Sequence, residues 1–149
     1  MFRRGLTLLI FLMVIEPVWA SEQPFNMGLK LFQPITVTKK KDITFPTKIL
    51  TATNEVIVVS TSDIGAASFD ASGGIGRSLV RSVLESNIVL SAPGNDTTII
   101  VDTIVVAGPT SFDAEGRALD LKIGANANIL ADSKDGDYIG VGTFRVVYQ

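Results

Sequence analysis

Apolar residues recur at every second position through most of the chain after residue 24, which is typical of β-strands. The stretch "FNMGLKLFQPITVT" places six apolar side chains on one face of such a strand: Phe25, Met27, Leu29, Leu31, Ile35 and Val37. Only Gln33 interrupts this set, and the neighbouring Pro34 indicates a sheet edge or a break. Farther on, "EVIVVSTS" is rich in β-branched residues and predicts a core strand.

The remaining pattern predicts more short strands separated by turns. "KKKDITFP" indicates a charged turn and a short strand over Ile43–Phe45, and "GAASFDASGGIGRS" indicates a strand followed by a glycine-rich turn. "SLVRSVLESNIVL" fits a strand or a short helix, and we favour the strand because glycines flank a short span. "TTIIVDTIVVAG" predicts a long strand. "PTSFDAEGRALDLKIGANANIL" predicts two strands, with turns at Asp113–Gly116 and near Gly124, and "ADSKDGD" predicts the last turn.

About eight short strands at near-regular spacing predict an all-β fold, an antiparallel β-sandwich of the immunoglobulin-like type. No linker or low-complexity tract divides the chain.

The first residues do not follow the strand pattern: Arg3 and Arg4 precede the apolar run "LTLLIFLMVI", and "EPVWA" ends in a small residue. This predicts a signal peptide over residues 1–20, because the run is short for a membrane span. An uncleaved anchor helix is the alternative. Cleavage would export residues 21–149 and leave no membrane-inserted segment.

Composition excludes several functional classes. The sequence contains no histidine and no cysteine, so the commonest general base, thiol nucleophile and transition-metal ligands are missing. We therefore expect no enzyme, no catalytic residue, no metal and no cofactor. A formal net charge of −2 argues against nucleic acid as a partner. "DSKDGD" contains some oxygen ligands of a calcium loop but lacks the closing glutamate, and "SGGIGRS" lacks the end of a phosphate-binding loop, so we favour ordinary turns.

The run Lys39–Lys41 has two interpretations. It could form a basic contact patch, but charged residues more often discourage unwanted pairing at a sheet edge, and we favour that role.

The last residues, "GDYIGVGTFRVVYQ", alternate like a strand that places Gly142, Phe144, Val146 and Tyr148 on one face. With Gly136 as the first of these fourteen residues and an aromatic residue next to Gln149, this stretch resembles the C-terminal recognition motif of chaperone–usher pilus subunits. The small Gly142 stands where that motif usually has an apolar residue. The cysteine pair of better-known pilins is absent, which favours a distant fimbrial branch.

The resemblance implies partners and site residues. It implies a sandwich that lacks one strand, a periplasmic chaperone and an outer-membrane usher as partners, and completion by the N-terminal segment of a neighbouring subunit. In this role Phe25, Met27, Leu29 and Leu31 would form the donor strand, and Gly136, Gly142, Phe144, Val146 and Tyr148 the chaperone and assembly edge. Residues 21–39 would be the extension and residues 40–149 the sandwich. The alternative is that residues 21–39 form the ordinary first strand of a complete domain.

A second resemblance covers nearly the whole exported chain. "PITVTKKKDITF", "AASFDASGG", "EGRALDLKIGANANIL" and "GDYIGVGTF" look like successive blocks of a family of small bacterial secreted β-domains of unknown function. Together the two resemblances imply a structural subunit of a bacterial surface fibre, a pilus or fimbria, that polymerises by donor-strand exchange and serves adhesion. The alternative is a self-complete secreted β-sandwich that acts as a binding or accessory module without polymerising.

Overall fold

A computed structural model describes residues 23–149, so the predicted signal peptide lies outside the described residues. Residues 23–30 and residues 31–149 form separate units. The second unit is all-β, and residues 23–149 contain no helix, hence none that could span a membrane. Its eight strands are β1 (Thr36–Lys41), β2 (Glu55–Val59), β3 (Ala67–Ser72), β4 (Leu79–Val83), β5 (Ile88–Ser91), β6 (Thr98–Ala107), β7 (Arg117–Ile129) and β8 (Phe144–Tyr148).

Six of these strands form one antiparallel sheet in the order β1-β3-β7-β6-β5, and β2 also pairs with β7. The length of β7 explains this branching, because its 13 residues accommodate two partners along one edge. β3 pairs with the first part, where Ala67 lies opposite Ile123, and β2 pairs with the second part, where Val59 lies opposite Ala125. β7 is therefore the central strand of the large sheet.

The other two strands, β4 and β8, form a small antiparallel sheet. An isolated antiparallel bridge joins Ser78, just before β4, to Ser111. It lies at the edge of β4 that faces away from β8. Apolar residues of both sheets meet in one buried cluster, in which Leu79 and Val146 of the small sheet accompany Ala71 and Leu121 of the large sheet. The two sheets thus pack face to face, and the predicted antiparallel β-sandwich is confirmed.

A second buried cluster covers the other part of the large sheet. Ile57, Val101 and Ala127 belong to it, and the strand register places the three side by side across β2, β7 and β6. Ile43 and Phe45 pack against this cluster without forming a strand, although the sequence predicted one there. The alternation at Ile43 and Phe45 therefore arises from two side chains of a loop that point into the core, and not from a hydrogen-bonded strand.

Three further predictions can be compared with the strands. The ambiguous segment contains no helix but two strands, β4 and β5, separated by residues 84–87. The turn at Asp113–Gly116 is present, because the Gly116 N–H donates to the Asp113 carbonyl. The turn predicted near Gly124 is wrong: Gly124 lies inside β7, where a Cβ atom would stand 2.5 Å from the Val59 carbonyl oxygen. This glycine permits close approach of two backbones rather than a change of direction.

The beginning of the described chain is not a strand. Residues 23–35 have no regular secondary structure, and the first strand begins at Thr36. β1 therefore continues across the predicted boundary between residues 39 and 40, and its pairing with β3 makes residues 36–39 part of the large sheet.

Candidate functional site

The edge of β8 that faces away from β4, called here the β8 edge, has no strand beside it in the described part of the chain. The Gln149 N–H donates to the Ser78 carbonyl and the Leu84 N–H to the Thr143 carbonyl, which sets the register of the two strands. Backbone groups of an antiparallel strand point alternately to its two edges. Phe144, Val146 and Tyr148 therefore present their N–H and C=O groups to the β8 edge, where no backbone group of residues 23–149 is recorded as their partner.

The side chains of the same three residues point into the sandwich. The Phe144 ring lies 4.7 Å from the Phe69 ring between centroids, and the Tyr148 ring meets Phe112 edge-on at 5.8 Å. Val146 is buried in the cluster between the sheets. The sequence prediction that these three residues share one face is confirmed, and that face is the core of their own domain. β8 thus combines a fixed inner face with unpaired backbone groups.

The residues just before β1 hold the end of β8 through Tyr148. The Tyr148 hydroxyl accepts a hydrogen bond from the Gly74 N–H at 2.7 Å and donates one to the Gln33 carbonyl at 2.6 Å. The Phe32 ring stacks on the Tyr148 ring at a centroid distance of 5.1 Å, and the Arg77 guanidinium lies 4.9 Å above the Phe32 ring. The hydrogen bond to Gln33 and the two contacts of the Phe32 ring fix the chain at residues 32–33 beside the last residue of β8, and the bond from Gly74 ties the turn after β3 to the same hydroxyl group.

The two glycines predicted for the same site lie elsewhere. A Cβ atom on Gly142 would stand 2.5 Å from Cδ1 of Ile88, and one on Gly136 would stand 3.0 Å from the Ala92 side chain. Both glycines therefore pack beside β5 and the turn after it, outside β8. They allow residues 136–142 to pass close to β5, where Ile139 exchanges two backbone hydrogen bonds with Ser91.

A carboxylate accepts a hydrogen bond from the residue that precedes β8. The Thr143 N–H donates to Oε2 of Glu85 at 2.7 Å, and this hydrogen bond lowers the pKa of Glu85 below its ordinary value. Glu85 lies two residues after the end of β4, so the bond joins the end of one strand of the small sheet to the start of the other.

The predicted donor-strand residues are exposed to solvent. Residues 23–31, called here the N-terminal segment, form no strand. The exposed fractions are 77% for Phe25, 85% for Met27, 85% for Leu29 and 77% for Leu31. Large exposed apolar side chains at alternating positions are an unfavourable arrangement in water, which makes the N-terminal segment a candidate site of interaction.

The other motifs behave as ordinary surface structure. In the glycine-rich turn, the Gly73 N–H donates to the Gly116 carbonyl and the Gly76 N–H to the Asp113 carbonyl, so these donors are used within the fold. Lys39 and Lys40 lie on the edge strand β1 in ion pairs with Asp42 and Asp70. Among residues 23–149, no group of three or more His, Cys, Asp or Glu residues is arranged to hold a metal ion.

Sequence reasoning missed the partners of Tyr148. Phe32 has the opposite parity to the predicted donor residues, and Gln33 interrupts the predicted apolar face. Gly74 and Arg77 contact this group from the turn after β3, more than 70 residues away from Tyr148 along the chain. No local sequence pattern predicts such contacts, because they depend on how the strands are arranged in space.

One comparison with known proteins gives a match. A family model described as a domain of unknown function (DUF4402) matches residues 35–148, which include all eight strands. No curated protein and no solved structure matches the chain. Because the match spans well over half of the sequence, the chain belongs to the DUF4402 family.

Proposed function

We propose that this protein is a structural subunit of a bacterial surface fibre and that it polymerises by donating its N-terminal segment to a neighbouring copy. The observation that carries the proposal is the exposure of Phe25, Met27, Leu29 and Leu31, each at least 77% exposed at alternating positions. An extended strand places such residues on one face. They would become buried only against a surface that accepts a strand.

The β8 edge is the acceptor in this proposal. Strand addition needs a row of free backbone donors and acceptors, and Phe144, Val146 and Tyr148 offer one. An exposed edge of this kind is a liability in a soluble domain unless something covers it. We propose that a periplasmic chaperone covers the β8 edge first, that an outer-membrane usher directs assembly, and that the segment of the next subunit then replaces the chaperone.

The fibre follows from the symmetry of the contact. The donor and the acceptor are different parts of each subunit, so the interface is heterologous and does not close on itself in a dimer. Copies joined in this way continue as a filament on the cell surface, with a role in adhesion. Subunits would separate only by breaking a row of hydrogen bonds together.

The first test changes the donor without touching the sandwich. Met27→Asp combined with Leu29→Asp places carboxylates where apolar pockets are expected, and burial of an unpaired charge is strongly unfavourable. The matched control is Asn26→Asp combined with Gly28→Asp, which adds the same charge at the alternate positions. Gly28 accepts a side chain, because a Cβ atom there meets nothing within 4 Å.

We expect the wild-type chain and the control to form a ladder of oligomers on gel filtration after export, and the first variant to elute as a monomer. Both variants should unfold at the wild-type temperature. A wild-type chain that stays monomeric, including after addition of a peptide of residues 21–39, would overturn the proposal and favour the self-complete module.

The second test changes the acceptor. Val146→Pro removes an N–H that points to the β8 edge, while the hydrogen bonds to β4 use the alternate residues. Val146→Ala is the control for the lost side-chain volume and retains the N–H. The proline variant should fold but accept no peptide of residues 21–39, whereas the alanine variant should bind it. Equal peptide binding by the two variants would exclude the β8 edge as the acceptor.

A further inference from the structure

An open cavity of about 510 Å³ lies between β4 and β6, away from the β8 edge. Its walls include one cation, Arg81, three hydroxyl side chains, among them Ser86 and Thr103, and three apolar side chains, among them Ile104. The volume falls in the range of small-molecule sites. β6 is irregular here, because its pairing with β7 shifts between Asp102 and Val105 and Thr103 has a φ of 47°. A non-glycine residue in this conformation is strained, and such strain is frequent at binding sites.

Arg81 is the unusual residue of this cavity. It lies opposite Val146 in the small sheet and on the same side of β4 as the buried Leu79, so its side chain starts from the inner face. One guanidinium nitrogen, Nη1, donates to the Pro109 carbonyl at 2.8 Å. Within the described residues, the buried Nε–H has no hydrogen-bond partner and no ion pair includes Arg81.

This arrangement is costly without a ligand. A guanidinium group carries five N–H donors and a permanent charge, and a buried donor without an acceptor destabilises the fold. The backbone N–H groups of Arg81 and Val83 point to the same edge of β4, because the alternate residues pair with β8. Among residues 23–149, no backbone partner is recorded for them either. Several hydrogen-bond donors on this side of β4 thus lack an acceptor within the described part of the chain.

We propose that the cavity binds a small, hydroxylated molecule that carries a carboxylate group. The planar guanidinium of Arg81 matches a carboxylate in shape and charge. Glu85 also lines the cavity and already accepts the Thr143 N–H, so it repels a second carboxylate at its own end but accepts hydroxyl donors. This polarity orients the ligand with its carboxylate at Arg81 and its hydroxyl groups toward Glu85, Ser86 and Thr103. The proposal is independent of fibre assembly.

The experiment uses the full chain labelled with ¹⁵N and follows the Arg81 Nε–H resonance by NMR. The probes are sodium glucuronate, glucose, sodium acetate and inorganic phosphate at constant ionic strength. We expect a saturable shift of the Nε–H resonance with glucuronate, a weaker effect with acetate, and none with glucose. Binding of phosphate without binding of glucuronate would overturn the assignment of a carboxylate, and equal binding of glucose and glucuronate would overturn the role of charge.

Variants distinguish binding in the cavity from non-specific binding to exposed arginine side chains. Arg81→Gln should weaken glucuronate binding at least about tenfold, the loss expected for one hydrogen bond to a charged group. Arg145→Gln is the matched control, because Arg145 is an exposed arginine on β8. If Arg81→Gln fails to fold, Ser86→Trp serves instead, since Ser86 is exposed and a large ring there would fill the cavity. Unchanged glucuronate affinity in the folded variant refutes the site.

Discussion

Removal of the Tyr148 hydroxyl group tests how firmly residues 32–33 are attached to β8. Tyr148→Phe retains the ring, so the contacts with Phe32 and Phe112 remain, while both hydrogen bonds of the hydroxyl group are lost. The change therefore isolates two polar contacts at one point of the fold.

The expected magnitude follows from the surroundings of each bond. A hydrogen bond within a protein contributes about 0.5–1.5 kcal/mol to the free energy of unfolding. The bond to Gln33 is worth the lower value, because that carbonyl is exposed and water can replace the hydroxyl group. The Gly74 N–H is half-buried and less accessible to water, so its bond is worth the upper value. We expect a total loss of about 1–2 kcal/mol.

The assay is urea unfolding followed by circular dichroism, combined with hydrogen exchange of the Gly74 amide. The variant should unfold at lower urea concentration, with an unchanged dependence of the unfolding free energy on urea. Hydrogen exchange of the Gly74 amide should become faster. Amides in β7 should exchange faster only to the extent that the whole domain is destabilised. A separate cycle of Phe32→Leu, Tyr148→Leu and the double variant gives the coupling between the two rings, for which we expect about 0.5–1.5 kcal/mol. Wild-type stability together with unchanged exchange at Gly74 would refute a stabilising role for the two hydrogen bonds of the Tyr148 hydroxyl group.

Two further predictions concern the large sheet. Gly124→Ala should lower the free energy of unfolding by about 1–3 kcal/mol, because the added Cβ would meet the backbone of β2, whereas Gly28→Ala should leave urea unfolding unchanged. The Asp120 N–H donates to the Asp70 carboxylate and Lys40 pairs with it, so the pKa of Asp70 lies below its ordinary value of 3.8. A lowered pKa contributes stability above pH 3.8 that is lost as the pH falls through the folded-state pKa. Asp70→Asn should therefore flatten the acid side of the stability curve measured by thermal unfolding at several pH values. A slope equal to that of the wild type would contradict the assignment.

The sequence determined the fold class because the period of two is a local property. The alternation of apolar residues located β2, β3, β6 and β8 with only the residues themselves as evidence. It also identified Phe144, Val146 and Tyr148 as one face. Alternation alone does not distinguish a paired strand from an extended loop, which is why the segment containing Ile43 and Phe45 was predicted as a strand.

The tertiary structure decided which strands are neighbours and which groups remain unpaired. The sequence predicts a turn near Gly124 because glycine is common in turns. The role of this residue depends instead on the Val59 carbonyl, which packs against it from another strand. The unpaired backbone groups of the β8 edge and the unpartnered Nε of Arg81 likewise follow from strand order. A hydrogen bond that is missing between distant segments has no local sequence pattern, so only the arrangement of strands in space reveals it.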